Sequence, residues 1–261
     1  MKLIDILFEV LRESKPITLD KDVFPQMEKV YANFLEESKD ERVVAYIEGG
    51  GEATLGRIKF KNPYDPSFDG VIVRLVFNED RNTRGWYNRS TRDVYINVNS
   101  KVGSSKSIFI NTLYHELVHA IDPKLNNKKV TDNLYSKLNT KNAKDTSDDH
   151  IKYLKNPAEF DAWSSTFINR IKNNLEDLED MHRQKAKVAL RGVLNYLLLG
   201  LNNKPLDNSD ADIDQELETI KTLLFGSSGE DMSEFLYNMI HYLNEKPSLF
   251  KKYIKRLSTL L

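Results

Sequence analysis

Apolar positions along this chain fall into distinct textures. Ile4, Leu7, Phe8 and Leu11 lie on one helical stripe. After a break at Ser14-Lys15-Pro16, helical spacing returns with Met27, Val30, Tyr31, Phe34 and Leu35, interrupted near Pro25. The texture then turns β-branched. Val43-Val44-Ala45-Tyr46-Ile47 ends at Gly49-Gly50-Gly51, Val71 to Phe77 is β-branched and aromatic around Arg74, and Val94, Ile96 and Val98 alternate. These three segments predict strands. Asn62-Pro63-Tyr64-Asp65-Pro66 and Asn88-Arg89-Ser90 predict a loop and a hairpin connection.

A long helix is expected from Ser104 or Ser105, either of which suits an N-cap, to about Asp122, because Pro123 disfavours helical geometry in the residue before it. Residues 123–155 are polar, and long loops inside domains are often functional. From Pro157 the chain reads as helix over 157–172, about 179–201, 211–224, 230–244 and 247–259. The expectation is an α+β fold with a small mixed sheet packed on the helix near residues 105–122. It divides into an N-terminal helical segment (1–40), a core (41–175) and a C-terminal helical region (176–261).

Charge and composition narrow the function. Lys and Arg number 38 against 39 Asp and Glu, a net charge of −1. No global positive field exists to gather phosphate, so nucleic acid is not an expected partner. There is no cysteine, which removes disulfides and thiolate metal sites; a metal here must be held by His and carboxylate. Asp5 and Glu9 interrupt the apolar start, so no signal peptide is expected. No run is long enough to span a bilayer. The expected setting is cytoplasmic or virion-associated, without membrane contact.

The candidate chemistry sits on the helix expected at 105–122, as His115-Glu116-Leu117-Val118-His119. Residues four apart share a helix face, so the two imidazoles can address one ion, with Glu116 about 100° round the axis. A zinc ion so held would activate a water whose proton Glu116 can take as general base. Leu113, Leu117, Ala120 and Ile121 form the apolar back of this helix. Strand, loop and metal helix follow in the order that lets an edge strand grip an extended peptide.

A catalytic zinc usually has three protein ligands. Glu159, placed among Ala158, Phe160, Ala162 and Trp163 just inside a helix started by Pro157, is the expected third, with Asp161 as its rival. Asp122, a turn beyond His119, either orients a ligand ring or ends the helix. His150, His182 and His241 have no partner spacing and are not expected ligands. Trp86 and Tyr87, beside Arg84 and Arg89, read as hairpin packing before cleft lining. The basic run Lys251 to Arg256 reads as a solvated face of the last helix.

His115 to Asp122, followed by Tyr153 and Glu159-Phe160-Asp161-Ala162, resembles the gluzincin group of zinc metallopeptidases over about residues 92–168. It is similar there to the anthrax-lethal-factor-like and the phage- and mobile-element-associated zincins. The resemblance implies a zincin-like fold, one zinc ion on His115, His119 and Glu159, Glu116 as base and acid, and Tyr153 as oxyanion donor. It also implies a protein or peptide substrate. Val118 departs from the lethal-factor pattern, which usually has Gly there. A different class of function is a phage or mobile-element assembly protein that keeps a zincin scaffold with little or no peptidase activity.

Overall fold

The computed structural model describes residues 19, 21–62, 65–122, 157–201, 211–225 and 247–261. The stripe at Ile4 to Leu11, the polar stretch after Pro123, the turn at Asn202 to Pro205 and the helix expected at 230–244 lie outside them. The chain divides into two compact units, one of Ile17–Thr166 and one that takes in Phe167–Leu261.

Helix α1 (Val23–Glu37) buries Val23, Met27, Val30 and Phe34, one stripe at helical spacing. Pro25 sits in its first turn, where a missing N–H costs no intrahelical bond. It belongs to the start of the helix and interrupts nothing. The segment expected as a first strand is helix α2 (Glu41–Glu48). The Asp40 carboxylate accepts the backbone N–H of Arg42 at 2.9 Å and pairs with its guanidinium, which lowers the Asp40 pKa to about 2. That N-cap starts a helix, and local capping outweighs the β preference of Val43 and Val44. Ile47 is the residue α2 buries.

Four strands form the sheet: β1 (Ala53–Ile58), β2 (Val71–Val76), β3 (Gly85–Asn88) and β4 (Asp93–Asn97). Their order is β1-β2-β4-β3; β2 and β4 are parallel and the outer pairs antiparallel, so the sheet is mixed, as expected. β1 carries no alternating signal because a bulge shifts its register between Thr54 and Gly56, leaving Leu55 and Ile58 buried three residues apart. Gly56 takes φ +155° there, a conformation that a side chain would strain.

Amide side chains of α1 cover the edge of β1. Gln26 bonds both the N–H and the carbonyl of Lys59, at 2.8 and 3.1 Å, and Asn33 donates to the Leu55 carbonyl at 2.6 Å. Those peptide groups are thereby closed to pairing with another strand.

One sheet face, with Leu55, Ile58, Val71, Val73, Leu75, Val94 and Ile96, joins a single apolar core with Val30 and Phe34 of α1 and Phe109, Leu113 and Leu117 of helix α3 (Lys106–Ile121). Full burial of such side chains contributes about 1.5–3 kcal/mol each. On the opposite face, Arg74 bonds Asp93 at 2.7 Å and Trp86 stacks on Tyr95 with ring centroids 5.2 Å apart.

Asn97, at the end of β4, is fully buried and organises the β2–β3 connection. Its Nδ2 donates to the carbonyls of Asn78, Asp80 and Thr83 at 3.3, 3.0 and 2.8 Å. Its Oδ1 accepts the N–H groups of Asn78 and Asn99 at 3.0 Å each.

The remaining described elements are helices, as expected: α4 (Pro157–Asp177), α5 (Asp180–Leu201), α6 (Ala211–Ile220), which ends in a π turn at Lys221–Phe225, and α7 (Pro247–Ser258). In their unit α5 packs against α6 and α7. Arg183 ties the close of α4 to α5 by donating to the carbonyls of Leu175, Glu176 and Leu178. Among the described residues no helix is long and apolar enough to cross a membrane.

Candidate metal centre

Helix α3 starts where the sequence places it. Ser105 has extended geometry and its hydroxyl accepts the Ile108 N–H at 3.1 Å, the side-chain cap that relieves an orphan donor. From that start the apolar positions Leu113, Leu117, Ala120 and Ile121 all come to be buried. The same rotation leaves His115 only part-buried while Glu116 and His119 are buried.

Nε2 of His115 and Nε2 of His119 lie 3.0 Å apart, with the rings edge to face. The third member arrives from α4. Pro157 starts that helix, and Glu159, in its first turn, is 4% exposed. Its Oε2 lies 3.2 Å from the His115 nitrogen and 3.1 Å from that of His119. A first-turn carboxylate kept only for the helix dipole would stay in solvent; this one faces two imidazoles.

Among the described residues, this is the group whose ligand atoms all lie within 4.8 Å of one another. Asp161, also buried, does not join it. Tyr153 and His150 lie outside the described residues, and His182 is on α5 in the other unit.

The triangle of donor atoms suits a small cation. Ligands held at about 2.0–2.1 Å around a tetrahedral ion are separated by roughly 3.3 Å, close to the 3.0–3.2 Å found here. The three donor atoms converge on one point and could hold a cation there. A set of two nitrogens and one oxygen favours a borderline transition metal over magnesium or calcium, which take oxygen ligands.

Electrostatics separates the two glutamates. Burial would raise the Glu159 pKa, but the charge of His119 and hydrogen bonds from both imidazoles bring it well below the ordinary carboxylate range. Burial raises Glu116 to about 7, with Glu159 adding to the rise. His115 and a hydrogen bond from the backbone N–H of Tyr87 act against it.

That backbone group is the part of the site that sequence reasoning missed. Asn97 donates its N–H to the Arg84 carbonyl at 3.0 Å, so Arg84 and Asn97 form a hydrogen-bonded pair of the β3–β4 ladder. The antiparallel alternation then turns the N–H and C=O of Gly85 and Tyr87 away from β4, toward the edge with which no described strand pairs. Gly85 permits the close approach of β3 to α3: a Cβ there would lie 2.8 Å from the Tyr95 carbonyl oxygen and 3.2 Å from the Thr112 methyl.

Asp122 is buried at the end of α3, its N–H reaching the His119 carbonyl at 3.4 Å. Nδ1 of His119 is buried and has no hydrogen-bond partner among the described residues. The Asp122 carboxylate therefore does not orient that ring through Nδ1, and closing the helix is the role its backbone performs.

No protein-family model, curated protein or solved structure matches the chain.

Proposed function

We propose that the protein is a zinc-dependent peptidase of gluzincin type, with a zincin-like core in the unit Ile17–Thr166. The observation that carries this reading is the triangle of His115, His119 and Glu159 beside a buried Glu116. His115, His119 and Glu159 would hold the ion. When bound, zinc supplies a Lewis acid that polarises the scissile carbonyl and acidifies water.

Glu116 performs the proton transfers: it takes one from the attacking water and delivers it to the leaving amine. The Tyr87 N–H, on the side of β3, favours the ionised form of Glu116. The outer edge of β3, which no described strand pairs with, aligns the substrate, because the Gly85 peptide groups and the Tyr87 carbonyl that face outward can bond an extended chain. Burial of Glu116 and Glu159 keeps bulk water from competing for these polar groups. Tyr153 keeps the oxyanion role that the resemblance implies.

The test is the conservative variant Glu116→Gln. It is expected to retain one equivalent of zinc and lose about 100- to 10,000-fold in peptide cleavage, the contribution of general-base catalysis. Cleavage at the parent rate would end the peptidase reading.

A further inference from the structure

The strand beside Glu116 also carries information about the substrate. Residues 81–92 contain Arg81, Arg84, Arg89 and Arg92 and no acidic residue, in a chain whose net charge is −1. They span β3 and both of its flanks. Arg92 is committed: it pairs with Asp65 at 3.2 Å and lies over the Phe68 ring. Arg81 and Arg84 are exposed, and neither has an ion-pair partner among the described residues.

The acidic side chains nearby are largely turned elsewhere. Asp80 accepts from the Asn82 N–H and the Thr83 hydroxyl, and Asp93 is bonded to Arg74. Glu79, exposed on the same connection, is the remaining one.

Arg84 is in register with β4 immediately before β3 begins, so it sits at one end of the edge whose Gly85 and Tyr87 peptide groups face outward. We propose that the site takes an extended peptide rich in acidic side chains, laid along β3 with its carboxylates against Arg81 and Arg84. This rests on the peptidase reading for the strand that the substrate joins.

A polynucleotide would meet the same arginines, but two observations favour a peptide. The edge presents alternating amide donors and acceptors, which match another peptide backbone and not a run of phosphates. One of the two faces of the Trp86 ring on which a base could stack is already covered by Tyr95, parallel within 8°.

Fluorescence anisotropy on the full chain, with added zinc and the Glu116→Gln substitution to prevent turnover, tests this. The probes are three labelled peptides of equal length bearing Glu, Gln or Lys at alternate positions, with a single-stranded oligonucleotide as competitor. The Glu peptide is expected to bind at least about fivefold tighter than the Gln peptide, with Lys weakest. The contrast should shrink from about 50 to 300 mM salt, and Arg81→Glu with Arg84→Glu should reverse the ranking.

A flat ranking, a ranking unchanged by charge reversal, absence of binding, or displacement by the oligonucleotide in preference to peptide overturns the proposal. The parent protein separates the two ideas. Peptides bound with acidic preference yet never cut would sink the peptidase reading alone, whereas cleavage without charge preference would sink this inference alone.

Discussion

Replacing Glu159 by Gln perturbs the centre with little change of shape. Its Oε2 is 3.1–3.2 Å from both ring nitrogens, so the variant keeps an oxygen in reach but removes the negative charge. Changes to groups that merely support ligands cost metal affinity about 10–100-fold, so loss of a direct ligand's charge should cost on the order of 100-fold. With free zinc at about 1,000 times the parent Kd, binding stabilises the parent by about 4.1 kcal/mol; a 100-fold weaker variant gains about 1.4 kcal/mol. For a unit of about 150 residues, each kcal/mol moves Tm by about 2–4 °C, giving a zinc-induced rise near 12 °C in the parent and near 4 °C in the variant. Both tryptophans, Trp86 and Trp163, lie in this unit, so intrinsic fluorescence follows its melting. Asp161→Asn should keep the parent's rise. Equal zinc shifts in parent and Glu159→Gln, or a loss reproduced by Asp161→Asn, would refute the ligand assignment.

Three further outcomes follow from the fold. Gly85→Ala puts a methyl against the Tyr95 carbonyl and the Thr112 side chain, and should destabilise by about 1–3 kcal/mol in urea titration; an unchanged midpoint would mean that β3 has room to shift. Asn97→Asp turns an acidic oxygen onto three carbonyls, and should cost roughly 2–4 kcal/mol and speed amide exchange over residues 78–84. Ser105→Ala removes the cap of α3 and should cost about 1 kcal/mol by the same titration, without altering zinc stoichiometry.

Features of the site that depend on neighbours along the chain were readable from the letters alone. The pairing of His115 with His119 follows from helical pitch, and the start of α3 follows from one serine hydroxyl. The strands β2 and β4 were legible because a buried face imposes a regular pattern on the residues that make it. Where local rules competed, the reading failed: Val43 to Ile47 looks like strand, yet the Asp40 cap makes it helix. The bulge at Gly56 erased the alternation that would have announced β1.

The sequence ranked Glu159 ahead of its rival Asp161, but the tertiary structure decided which carboxylate meets the imidazoles. Glu159 and Asp161 are two residues apart and both are buried, so neither burial nor spacing ranks them. The direction of a first-turn side chain, set by where α4 lies relative to α3, brings Glu159 and not Asp161 into the triangle. The Tyr87 N–H beside Glu116 has no signature in the letters at all. Every residue but proline carries that donor, and only the register of β3 on β4 turns this one outward. Periodicity reports contacts a few residues away, whereas contacts across forty depend on the path of the whole chain.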